Sequence, residues 1–378
     1  MPVKQYSIMM PGQVVAGPDS VNEIAGLVDG FGAKKALVVT DKGVWNAGLV
    51  EKPLALLAAA GIAVEIINDV PPEPEINQAE ELVKRSREYD CDIIVSIGGG
   101  SSMDTAKIIA ALMKSGQNVR EVMEDSKTIK KGVPLMMVPT TSGTGSEATP
   151  NAIVTLPEQG LKVGIVSKNF MADCVILDPM LTVKLPPAIT AATGIDALAH
   201  AIECYTSKKA NPFSDTLALK AIRLICGSIR TAYKSGEDIE ARHNMILGSF
   251  YGGMCIASSG TTAVHALAYP LGGRYKIPHG VSNAMLLAHV MEFNKDAIAD
   301  KLERIAAEVG VCTADQVIDY LHTLVKDLNI PYDLRQYGVA ESDINLLVEE
   351  ASKVTRLLDN NPKVLCKADM ADIYKKLF

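Results

Sequence analysis

The stretch "CDIIVSIGGGSSMDTAK", Cys91 to Lys107, decides the fold. Its first half is a short apolar run without polar alternation, the pattern of a strand buried on both faces. Three glycines follow, Gly98, Gly99 and Gly100, and then a segment that reads as a helix starting near Ser101 or Ser102. Glycine lets a backbone approach a ligand closely, and helix N-terminal amides attract phosphate oxygens. The same residues also suit a plain tight turn, its helix capped by Ser101 and Asp104 in an S-x-x-D pattern. Both readings stay open at this point.

Outward from this stretch the strand signal repeats in "KKALVVT" (34–40), "IAVEIIND" (62–69) and "VPLMMVPTT" (133–141). Helical patterns lie between, in "GLVEKPLALLAAAG" closing at Gly61 and in "INQAEELVKRSREY". An earlier helix has an S-x-x-E start at Ser20 and Glu23. Continuous Val/Ile/Leu runs separated by helices predict a parallel sheet covered on both faces. After "CVILDPMLTVKLPP" the texture changes, and from about Ala188 alanine, leucine and helical periodicity dominate. The expected architecture is a Rossmann-like α/β domain, residues 1–185, followed by an all-helical domain, residues 186–378, with the boundary at Pro186-Pro187.

Composition narrows the function classes. The chain has 378 residues, 48% of them hydrophobic, and a formal charge of -7. That charge leaves no basic footprint for nucleic acid. Seven cysteines without a C-x-x-C pair argue against a disulfide framework and suit a reducing cytoplasm. The N-terminus lacks the apolar core of a signal peptide, and no run reaches the ~18 apolar residues of a membrane span. The expectation is a cytoplasmic protein that handles small molecules, with neither nucleic acid nor membrane as partner.

A second polar, glycine-rich loop, "VPTTSGTGSEATPN" (138–151), follows another strand. Two such loops at the carboxyl ends of strands in one sheet favour a dinucleotide site. Neither loop matches G-x-G-x-x-G or the P-loop pattern. Asp41 ends the strand "ALVVTD". It can accept the adenosine ribose hydroxyls, which would favour NAD over NADP, or it can simply cap the next helix.

The histidines supply a second chemistry. In "TGIDALAHAIECYTS" (Thr193 to Ser207), Asp196 and His200 stand four apart on one helix face, with Glu203 on the same side. Alone, this is a polar stripe. The cluster "TTAVHALAYPLGGRYKIPHGVSNA" adds His265, in an apolar helical run expected to end at Pro270, and His279, at the start of another helix. A helix N-terminus disfavours imidazolium, and a neutral imidazole is what a metal needs. One aspartate and three histidines form a ligand set for a divalent first-row metal, zinc or ferrous iron. With one carboxylate the site would carry a net charge of about +1. His243, His289 and His322 lack this context and read as surface or core residues.

Together "GGGSSMDTAK", "PTTSGTGSE", "KVGI", "LDPMLTVKLPP", "GIDALAHAIE" and "PHGVSNA" resemble the iron-dependent (group III) alcohol dehydrogenase family, which has a dehydroquinate synthase-like fold. The resemblance implies an N-terminal nucleotide domain, a helical C-terminal domain and a metal in the cleft between them. It puts Asp196, His200, His265 and His279 on the metal-ligand positions. Gly98, Gly99, Gly100 and Ser101 fall on the pyrophosphate loop, with Asp104 counted among its cofactor residues. Thr140, Thr141, Thr144, Asn151, Lys162, Leu181 and Thr182 fall near the nicotinamide half, and Asp41 near the adenosine. The implied cofactors are NAD(H) and Fe²⁺ or Zn²⁺, the substrate a small alcohol or aldehyde, the assembly a homodimer or larger. Two departures stand out. Many members carry a second histidine where this chain has Tyr269, and Pro-Asn-Pro where it has Glu73 in "PPEP". Rival readings on the same fold are a hydroxyacid–oxoacid transhydrogenase and a glycerol-1-phosphate dehydrogenase-like enzyme. The latter wants several cations near the histidines, where the sequence offers only Arg274 and Lys276.

Overall fold

Six short strands pair in parallel in the computed structural model, which describes residues 5–158 and 161–378. They are β1 (Gln13–Ala16), β2 (Lys35–Val39), β3 (Ala63–Ile67), β4 (Ile93–Gly98), β5 (Leu135–Pro139) and β8 (Cys174–Leu177), in the order β1-β8-β5-β4-β2-β3. β4 and β5 run side by side with Gly98 opposite Pro139, so the two polar loops leave the sheet as neighbours. Ala36, Val38, Ile93, Val95, Ile97, Met136 and Val138 pack one sheet face against Val21, Ile24, Val28 and Leu57. A separate antiparallel hairpin, β6 (Asn151–Leu156) and β7 (Leu161–Val166), follows the second loop.

The chain divides into two compact units, Met9–Lys184 and Leu185–Phe378, the latter including the described residues up to Ile8. In the first unit the S-x-x-E start is not realised. Ser20–Glu23 form a 3-10 turn, the helix runs Ile24–Gly30, and the buried Ser20 hydroxyl has no partner. The amides at this corner are taken instead by Asp178, whose carboxylate accepts from Asp19 N at 3.1 Å and Val21 N at 3.0 Å. A charged acceptor from beyond β8 satisfies the orphan donors better than a local hydroxyl.

The second unit is built from helices and their connections, with no strand among its described residues. Its core is built on Pro187–Thr206, Pro212–Lys234, Ile239–Ser258, Ala263–Tyr275 and His279–Asn294. Proline at the first helical position and side-chain caps at Asn211 and Asp238 set the starts of two of these helices. Arg242, almost fully buried, donates to Thr190 Oγ1 (2.7 Å), Leu185 O (3.2 Å) and Gly236 O (2.8 Å) and so fixes the start of the helix Pro187–Thr206. Pro270 does not end its helix as expected but sits inside Ala263–Tyr275. The lost backbone bond is offset by burial of Leu267, Ala268 and Leu271 around it.

Candidate metal and cofactor sites

Asp196 and His200 project from one face of the helix Pro187–Thr206; His265 comes from Ala263–Tyr275, and His279 is the first residue of His279–Asn294. All four side chains converge on one atom. Asp196 Oδ1 lies 3.7 Å from His265 Nε2, 3.7 Å from His279 Nε2 and 3.9 Å from His200 Nε2. A tetrahedral ion with bonds of about 2.1 Å has ligand–ligand edges of about 3.4 Å, slightly shorter than these. The His200 and His265 rings stack at 4.6 Å, and His265 meets His279 edge-on at 5.2 Å. Close helix packing makes this possible. A Cβ on Gly280 would stand 2.2 Å from Ala192 O, one turn before Asp196.

Two residues complete the arrangement. Asn283, one turn after His279, points its Nδ2 at Asp196 Oδ1 (2.6 Å) and at the Nε2 atoms of His265 and His279 (3.2 Å each). An amide has two protons for these three acceptors, and its own Oδ1 is buried without a partner. A divalent cation would satisfy the acceptors together, so the residues fit a metal. Glu203, fully buried, holds His265 through Nδ1 with one carboxylate oxygen. The other oxygen accepts from Thr262 N (2.9 Å), Thr262 Oγ1 (2.8 Å) and Val264 N (2.9 Å) at the start of the His265 helix. Burial opposes the charge on Asp196, but the surrounding imidazoles outweigh it and hold the carboxyl well below its usual range. Burial likewise opposes an imidazolium at His265, yet Glu203 and Asp196 push it up to about 9 in the metal-free chain. Glu203 also revises the expected net charge: with two carboxylates beside three neutral imidazoles, a divalent ion is balanced. Tyr269 shares this neighbourhood, its ring 6.1 Å from that of His279.

In the first unit, the helix Gly100–Leu112 starts from Gly99, with no side-chain cap. The expected Ser101–Asp104 cap is therefore absent, and the first amides of this helix are left for an anion. The glycines serve close approach. A Cβ on Gly98 would stand 2.6 Å from Ser102 Cβ, and one on Gly100 2.7 Å from Thr144 Cγ2. Thr140 N donates to Gly98 O at 3.0 Å, which ties the loops together. Asp41 caps the helix Lys42–Asn46 through Val44 N (3.0 Å) and accepts from Ser102 Oγ (3.0 Å). Each carboxylate oxygen keeps a lone pair for a further donor. Ser101 Oγ accepts from Glu73 N at 3.1 Å, and Glu73 pairs with the nearly buried Lys162 at 2.5 Å. Glu73 takes this position with φ 49, a left-handed conformation unusual for glutamate.

Asp104, Leu181 and Thr182 face inward. Asp104 accepts from Ser146 Oγ (2.5 Å), Lys107 Nζ (3.1 Å) and Ile153 N (3.0 Å). Lys107, fully enclosed, also donates to Thr149 Oγ1 (3.0 Å) and Asn151 O (2.5 Å), fixing the second loop to the helix. Burial lowers the Lys107 pKa and pushes the adjacent Glu147 up to about 7. Thr182 Oγ1 donates to Pro179 O at 2.8 Å, and Leu181 packs into the sheet core.

One unit thus presents a glycine-loop helix start at the carboxyl edge of a parallel sheet. The other gathers a carboxylate and three imidazoles about one point. Those two features are what a metal-dependent, nucleotide-linked oxidoreductase requires. Comparison with known proteins narrows the class. The description "Iron-containing alcohol dehydrogenase" matches residues 11–179, and "Fe-containing alcohol dehydrogenase family, C-terminal" matches residues 190–378. The chain belongs to the iron-containing alcohol dehydrogenase family, whose work is NAD(H)-linked oxidoreduction of alcohols with divalent iron. It is 38% identical to long-chain-alcohol dehydrogenase 1 of Geobacillus thermodenitrificans, over 98% of this chain and 96% of that one. It is 35% identical to the NAD-dependent methanol dehydrogenase of Bacillus methanolicus, over 98% and 99%. The crystal structure of a 1,3-propanediol oxidoreductase superposes with a TM-score of 0.95 at 36% identity, over 99% of this chain and 100% of that one.

Proposed function

We propose that the chain interconverts a small uncharged alcohol and its aldehyde with NAD(H), and that Asp196, His200, His265 and His279 hold the divalent ion. The observation that carries this is the convergence of three Nε2 atoms on one Asp196 oxygen. These four residues would hold the ion, and the chemistry it would supply there is Lewis-acid polarisation of the substrate oxygen. The protein's part is placement. Asp196 supplies the anionic ligand, and Glu203 turns His265 so that Nε2 faces inward. Overall an alcohol loses a hydride to the nicotinamide and a proton to solvent, giving aldehyde and NADH. Ferrous iron is the metal of the family, and zinc suits the same donors.

On the cofactor side, the uncapped amides at Gly100 and Ser101 suit the diphosphate. Thr140, Thr141, Thr144, Asn151 and Lys162 serve the nicotinamide half, and Asp41 the adenosine ribose, where its charge repels a 2′-phosphate. The structural duties of Asp104, Leu181 and Thr182 make them supports of this site. Arg274 is tied to Glu350 at 2.7 Å, which speaks against a phosphorylated substrate. We place the protein in the cytoplasm as a homo-oligomer; no helix among the described residues is long and apolar enough to cross a membrane. The oligomer draws support from edge strand β1, where Val14 is 39% exposed, and from Met10 just before it, 54% exposed.

The test is NADH formation across an alcohol panel, with the protein loaded with Fe²⁺ or Zn²⁺ beside His265→Ala. Turnover in the loaded wild type, and loss of both metal and turnover in the variant, is expected. Full metal occupancy in His265→Ala would refute the ligand assignment. Turnover without free NAD(H) would favour the transhydrogenase.

A further inference from the structure

We infer that Glu203 is a positioning residue for the metal, setting both the tautomer of His265 and the charge balance of the site; this rests on the ligand assignment above. Three observations carry it. The carboxylate is fully buried, and the ion pair it makes among the described residues is with His265 rather than with a lysine or arginine. One of its oxygens is saturated by Thr262 N, Thr262 Oγ1 and Val264 N, which locks the side chain in place. The other meets His265 Nδ1, on the far side of the ring from the Nε2 that faces Asp196. A carboxylate can only accept, so in the neutral ring Nδ1 carries the proton and Nε2 presents its lone pair inward. Partners of this kind raise the basicity of a histidine ligand, and their loss costs about 10- to 100-fold in metal affinity.

The same residue has a second consequence. Asp196 and Glu203 together supply two negative charges, and neutral imidazoles supply none. A divalent ion therefore closes the charge of the buried cluster, whereas a site with Asp196 alone would hold it with an uncompensated charge. Burying a second carboxylate is costly without a cation, so its presence marks a pocket shaped for a doubly charged ion. Helix spacing supports one ensemble: Asp196, His200 and Glu203 lie at i, i+4 and i+7 on Pro187–Thr206.

The informative variant is Glu203→Gln. Its carbonyl oxygen keeps the bonds from Thr262 and Val264, while its amide NH₂ faces Nδ1 and forces the ring proton onto Nε2. We measure Zn²⁺ and Co²⁺ affinity by chelator competition in the wild type, Glu203→Gln, His265→Ala and the double variant. Expected is a loss of about 10- to 100-fold in Glu203→Gln, and no further loss when it is added to His265→Ala. Wild-type affinity in Glu203→Gln, with His265→Ala still defective, overturns the inference and leaves the metal site standing. Wild-type affinity in His265→Ala overturns the site itself. Should Glu203→Gln fail to fold, ¹⁵N-histidine NMR of the metal-free wild type, at a pH where the His265 ring is neutral, decides. A ring proton on Nδ1 of His265 supports the role of Glu203, and one on Nε2 refutes it.

Discussion

Gly280→Ala tests whether helix packing, rather than the ligands alone, builds the metal site. The added Cβ would stand 2.2 Å from Ala192 O and 2.6 Å from Ala192 C. An ordinary carbon–oxygen contact is about 3.3 Å, so the helix beginning at His279 must retreat by about 1 Å. Metal bonds tolerate errors of about 0.2 Å, a fifth of that shift. His279 is adjacent in sequence and moves with the backbone. Overpacking should cost about 1–3 kcal/mol. For a unit of this size that lowers Tm by about 2–12 °C. Loss of a direct ligand should weaken metal binding by more than about tenfold, the lower bound for losing only an outer partner. Gly227→Ala is the control, since a Cβ there meets nothing within 4 Å. Scanning fluorimetry of the metal-free protein and chelator competition read the two effects. Wild-type Tm together with wild-type metal affinity in Gly280→Ala would refute the packing argument.

Further outcomes follow from other residues. Asp41→Gly should relax the preference for NAD(H) over NADP(H) while destabilising the chain by only about 0.3 kcal/mol, because glycine is itself a tolerated cap where the Val44 N bond is lost; equal kcat/KM for both cofactors in the wild type would count against the ribose role. Tyr269→Phe should keep the metal and most of kcat while shifting KM, because a phenol hydrogen-bonds a substrate oxygen but does not shuttle protons at neutral pH as an imidazole does; a fall of about 10³-fold in kcat would make Tyr269 the proton donor. His289 is pushed down to about 4 by burial, then by His322 and Lys376, against Glu292, and His322 is lowered too, with Asp319 and Lys326 nearby. A depressed folded-state pKa means the unfolded chain binds the extra proton first, so this stability is present above the usual imidazole value of about 6.5 and is lost as pH falls toward 4. Urea midpoints should drop between pH 7 and pH 5 in the wild type and drop less in His289→Asn; equal slopes would refute it.

Much of this was legible in the sequence because two periodicities carried it. The continuous runs at 34–40 and 133–141 became β2 and β5, since a strand buried on both faces has no polar alternation to confuse it, and the run at 62–69 became the edge strand β3, which is only partly covered. The hairpin β6–β7 escaped because its apolar residues directly follow a hydroxyl-rich loop, and β1 because its four residues are mostly exposed. Long-range partners were the other blind spot. Nothing local to Ser20 announces that Asp178 will take its neighbours' amides, and Pro270 reads as a terminator until the buried side chains around it are known. Glu203 had a usable signal: a carboxylate on the buried face of an apolar helix, seven residues after Asp196, requires a partner. Asn283, one turn after His279, gave the same kind of hint.

The strand order has a consequence for synthesis. Among the described residues β1 pairs only with β8, Gln13 opposite Cys174, and the turn after it is held by Asp178. At about 5–20 residues per second, a ribosome needs about 8–32 s to go from one strand to the other. During that interval the first strand made has no template, and β5, once Pro139 is made, offers an open edge beside Met136 and Met137 until Cys174 follows. The nascent chain thus spends many seconds with its sheet half assembled, and the last strand of the unit is the one that admits the first.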